Sequence, residues 1–137
     1  MTTTTKTLRD YLKTQLASAS GLTTVKSWSN AEPRVFPSSP FGWVRSLGGP
    51  VEPGIVGSRK TFDNFEVVVI VKSGSTDKAE DDALGFKEAV ETALNADPLL
   101  NNQVSSAYVS NRESYQVNDL NNSYSAWKVT VTTWRFS

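Results

Sequence analysis

The sequence predicts an α+β fold: a single domain with a mixed or largely antiparallel β-sheet of about four to five strands, two main helices packed on it, and a long flexible hairpin arm. Three observations carry that expectation. Apolar residues recur at helical spacing in two separate segments, β-branched residues crowd one central segment, and glycine and proline gather between two strand-like runs. At 137 residues the chain has room for one core and not for two.

In chain order, a threonine-rich lead at 1–5, expected to be disordered, precedes Thr7 and Asp10, which have the spacing of a capping box with a shortened acid. Leu8, Tyr11, Leu12, Leu16 and Ala19 then follow on one helical face. Gly21 is suited to the left-handed position after the helix, and Leu22 to folding back on its last turn. Pro33, Pro37 and Pro40 exclude a long helix and leave a short edge strand near 34–36. From Phe41 to Leu47 residues alternate as in a strand.

Residues 48–60 hold four of the eight glycines, at 48, 49, 54 and 57, and are expected to form the arm, mobile alone and ordered on assembly. The run from Phe65 to Val71 is apolar on both faces, as a central strand covered on both sides would be. Residues 73–76 break that strand and cap a second helix, where Asp77, Glu80, Asp81 and Asp82 lie near the positive end of the helix dipole. Ala79, Ala83, Phe86, Ala89, Val90, Ala93 and Leu94 share its buried face. Two strands, near 104–112 and 124–136, complete the sheet, separated by turn-forming residues at 118–122; in the last, Trp127, Val129 and Val131 point to a dry face and Lys128, Thr130 and Thr132 to a wet one.

Composition narrows the chemistry. With 14 basic and 14 acidic residues the formal charge is zero, so no global field steers the chain to nucleic acid or anionic lipid. Without cysteine there is no disulfide and no thiolate nucleophile, which suits a reducing cytoplasm; without histidine the commonest general base and metal ligand is missing. No apolar run approaches the roughly 18 residues of a membrane span.

The acidic start of the second helix lacks the glycine-centred spacing of a calcium loop and reads as solvated and dipole-matched. The glycines of the arm precede no lysine-serine or lysine-threonine pair and form no phosphate loop. Arg45, Arg59 and Lys60 bracket the arm, but neither an aromatic-and-basic sheet face nor a basic recognition helix can be traced for nucleic acid. No catalytic, cofactor or metal site is expected. Outward-pointing residues are more informative: Val51, Ile55 and Val56 with Arg59 on the arm, and Leu84, about 160° round the second helix from Phe86. These five are the candidate protein-interface residues, set against the plainer alternative of a floppy loop and a stray leucine.

The order of these pieces resembles the tail terminator, or tail completion, proteins of long-tailed bacteriophages. The likeness runs over nearly the whole chain: the first helix, the proline-bounded segment 33–37 leading into 41–44, the glycine-rich arm, the apolar strand 65–71, the second helix with Ala83, Phe86, Val90 and Leu94, and the final strand 127–131. It implies a structural virion protein and not an enzyme, without cofactor, made in the host cytoplasm and located at the tail or neck. Its partners would be copies of itself in a hexameric ring, the tail tube protein and a head-tail connector or stopper, with DNA only passing through the lumen and no membrane contact. A ring uses unlike patches on neighbouring copies, which gives the arm and Leu84 a purpose. Alternatives are another neck component, and a ligand-binding or enzymatic domain using carboxylates such as Glu66 with Asp63.

Overall fold

The computed structural model describes residues 3–55, 57–72, 76–119 and 122–136. It is α+β, with helix α1 (Thr5–Ser18), strands β1 (Ser27–Ser29), β2 (Phe41–Gly48), β3 (Val51–Pro53) and β4 (Arg59–Lys72), helix α2 (Thr76–Asn95), then β5 (Ser106–Asp119) and β6 (Asn122–Phe136). The strands form one six-stranded sheet in the order β1-β2-β4-β6-β5, with β3 also paired to β4. It is mixed, because β1 runs parallel to β2 while the other pairings are antiparallel.

The strand count is six, above the expected four to five, because β1 and β3 are each three residues long, too short for periodicity to register. The expected strand at 34–36 is absent. Those residues belong to a bent segment between Pro33 and Pro37, and the short edge strand lies at Ser27–Ser29 instead. The helix also starts early: Thr4 caps α1 by accepting from the Thr7 backbone N–H, and the Thr7 hydroxyl accepts from the Thr4 N–H in return. Thr4 and Thr5, expected in a disordered lead, therefore cap and open the helix. Threonine serves at either end of this reciprocal pair, which is why the sequence allowed two starting points. Gly21 does adopt a left-handed φ of 85°, but the C-cap is Ala19, in extended conformation.

Both helices pack on one face of the sheet. Leu8, Leu12 and Leu16 of α1 and Val90 and Leu94 of α2 close over Val44, Phe65, Val67, Val69, Val129 and Val131. The expected cap of α2 at 73–75 lies outside the described residues. On the opposite face Phe41, Trp43, Val68, Ile70, Tyr124 and Ala126 form a second, smaller cluster. It is covered by the segment between β1 and β2, whose Phe36 ring lies 5.0 Å from both Phe41 and Tyr124. The Tyr115 hydroxyl donates to Glu32 and the Lys72 N–H donates to Ser39 Oγ, tying that segment down along its length. β4 is consequently buried on both faces over most of its length. The face of β6 expected to be wet is dry at one end, where Tyr124 and Ala126 lie under this cover.

Candidate functional site

The covering segment leaves the far end of that second face open, and the site lies there. β4 is longer than β2, whose ladder ends at Gly48 opposite Asn64 after a bulge between Ser46 and Gly48. Gly48 turns the chain with a φ of 74°, and at Gly49 a Cβ would meet the Phe62 carbonyl oxygen at 2.4 Å. Only glycine permits that approach. Pairing with β4 then resumes: Val51, Glu52 and Pro53 lie opposite Thr61, Lys60 and Arg59. The tip is closed by Gly54 N–H donating to the Ser58 carbonyl and Ser58 N–H donating to that of Ile55. In place of the long flexible hairpin arm expected over 48–60, the sheet itself runs out into a short hairpin paired at 51–53 and 59–61. Glycine density signalled the turns at each end but not the ladder between them.

Of the expected interface residues, Val51 (55% exposed), Ile55 (87% exposed) and Arg59 come together on this hairpin. Val56 lies outside the described residues. Leu84 is half-buried on α2, not fully exposed as expected, and is not brought to the hairpin, since β3 packs chiefly on β4.

Beside the hairpin lies a group that the sequence did not reveal. Register places Phe62 opposite Trp134, Lys60 opposite Phe136, and Tyr108 opposite Thr132, so these side chains share the open face of β4, β6 and β5. The Trp134 and Phe136 rings meet edge to face at 5.4 Å, and the Lys60 ammonium sits 4.3 Å from the Trp134 ring centroid and 5.0 Å from that of Phe62. Phe136 is 62% exposed and Tyr108 is 49% exposed. Alternation along β6 is visible in the sequence, but that Phe62 and Tyr108 join Trp134 depends on register between segments some seventy and some twenty-five residues apart.

The two acids of the enzymatic alternative are buried but lie on opposite faces of β4. Asp63 faces the helices, accepting from the Thr5 hydroxyl at 2.8 Å and pairing with Arg135. Glu66 faces the other way, accepting from Trp43 Nε1 at 2.9 Å, with Arg45 at 3.3 Å and Lys128 at 3.9 Å. Each carboxylate is neutralised by neighbours, and the sheet separates them, so they do not converge on a common substrate atom. Among the described residues no group of three or more acids is arranged to hold a metal ion. A groove of about 470 Å³ runs between α1 and α2, lined by Leu12, Leu16, Ala93, Leu94 and Leu100. On its rim the Tyr11 hydroxyl donates to Asp97 at 2.6 Å; burial, and then this bond to a carboxylate, push the Tyr11 pKa up to about 12. Among the described residues that line it, no second titratable group stands beside Asp97.

A scan against models of protein families finds no match to the chain, and a search of curated proteins likewise finds none.

Proposed function

We propose that this chain is a structural subunit of a bacteriophage tail, a tail terminator that assembles as a hexameric ring, caps the tail tube and offers the surface to which the head-tail connector binds. The observation that carries the reading is the hairpin of β3 and the start of β4, which extends the sheet past the end of β2 and leaves Val51 and Ile55 exposed to solvent. Exposed apolar side chains on a projecting hairpin lose contact with water only when a second chain covers them. The hairpin is the assembly arm, and its ordering against a neighbour or the tube completes the contact. A neutral chain also suits a ring around passing DNA, since strong phosphate binding would hold the DNA in place.

The test replaces residues 54–58 with Asn-Gly, joining Pro53 to Arg59 through a two-residue turn that keeps their pairing. Melting is expected to stay near wild type, while ring mass in native mass spectrometry falls and tails assembled with the variant run over-length. A shortened protein that forms rings and stops tubes like wild type would sink the assignment of this hairpin. A wild-type protein that forms no six-fold ring, alone or on tubes, would sink the terminator reading itself.

A further inference from the structure

The aromatic group and the hairpin flank β4 on opposite sides at the same end of the sheet. β3 lies on the side of β4 that β2 occupies, and β6 followed by β5 lies on the other. One flank therefore presents aliphatic residues, Val51 and Ile55, and the other presents Trp134, Phe136 and Tyr108. Each copy has one of each. Copies set side by side in the same orientation bring the hairpin of one to the aromatic face of the next, and this unlike-to-unlike contact repeats until it closes. Two identical aromatic faces meeting about a two-fold axis would instead leave both hairpins uncovered.

Charge favours the same match. Glu52 lies opposite Lys60 in the ladder, yet the Lys60 ammonium leans over the Phe62 and Trp134 rings, away from its cross-strand neighbour. Glu52 is exposed and belongs to no ion pair among the described residues. Arg59, the exposed cation of the hairpin, stands opposite Pro53 and so points to the other face of the ladder, leaving Glu52 as the charge that β3 presents on the face where Lys60 is held over the rings. Aromatic rings with a cation are the composition of interface anchor points, where large rigid side chains are covered at small entropic cost.

We infer that Phe62, Trp134, Phe136, Tyr108 and Lys60 form the receptor for the hairpin tip of a second copy of this chain, Ile55 seating on the rings and Glu52 approaching Lys60. The inference rests on the ring reading, and it names both halves of the contact between neighbours.

The absence of cysteine from the sequence makes the test clean. Copies carrying only Ile55→Cys are mixed with mass-tagged copies carrying only Phe136→Cys and treated with a short bismaleimide. A severalfold excess of 55-to-136 linkage is expected over a control in which Val35→Cys, 83% exposed and on the covering segment, replaces Ile55→Cys. Phe136→Ser and Tyr108→Ser are each expected to weaken self-association about tenfold or more while melting close to wild type, because neither side chain is buried in the single copy. If wild type forms rings but 55-to-55 linkage dominates, or Phe136→Ser assembles normally, the receptor is elsewhere and the ring reading stands. If wild type does not self-associate at any concentration or on tail tubes, both fall together.

Discussion

Val69 is 4% exposed and points into the helix-side core between Val67 and Val71 of the central strand. Val69→Asp places a carboxylate there with no cation within the cluster, costing several kcal/mol against a total stability of about 5–15 kcal/mol. Loss of the soluble, cooperatively melting species is the expected outcome; a near-wild-type thermal transition would show that the strand does not sit in the core. Tyr11 gives a subtler reading. Its folded-state pKa, about 12, lies above the ordinary value of 10.0, so the neutral phenol is favoured by folding. Its contribution is fully present below about pH 10 and is lost as pH rises through about 12. Burial, followed by the bond to Glu32, raises the Tyr115 pKa too, adding loss of the same sign at high pH. Tyr11→Phe is expected to lower stability at pH 7 by about 1 kcal/mol, the worth of one hydrogen bond, and to flatten the decline above pH 10. Melting curves of both proteins across pH 7–12 check this; parallel curves would mean that Tyr11 does not titrate against folding.

At the scale of elements, the turn after α2 has the least ordinary backbone. Leu100, Asn101 and Asn102 take φ values of 46°, 56° and 63°, three successive left-handed residues without a glycine. Leu100 is held by burial in the core, and Asn101 by its N–H donating to the Asp97 carboxylate that also binds Tyr11. Asn102 is exposed, so its substitutions report the backbone alone. Asn102→Gly is expected to be neutral or stabilising by under about 1 kcal/mol, and Asn102→Val destabilising by about 1–2 kcal/mol. Equal melting temperatures would show that the turn relaxes in solution. This element was illegible in the sequence, where the helical spacing that ends at Leu94 is followed by no expected element before the strand near 104. The long periodic elements were legible because repetition over ten or more residues averages out local exceptions: Leu8, Leu12 and Leu16 declared one helix, and Val90 with Leu94 the other. Three-residue strands such as β1 offer no such averaging. Their existence depends on a partner, here Phe41 to Trp43, that sequence spacing does not name.

Across the whole molecule, the sequence showed that something on the hairpin faces outward but not what stands beside it. Val51, Ile55 and Arg59 are local to one segment. The aromatic face draws Phe62, Tyr108 and Trp134 from three strands, and only register brings them together. The same dependence on distant pairing affects how copies come to be made. β6 is the last strand in chain order yet lies inside the sheet, paired with β4 along one edge and β5 along the other. A nascent chain that has not reached Asn122 holds β4 with an open edge and apolar side chains on both faces, a template for mispairing with any passing strand. Half a sheet has no stable resting form. Folding of this domain therefore waits on β6, and a chain cut before Asn122 is expected to give no soluble, cooperatively melting species.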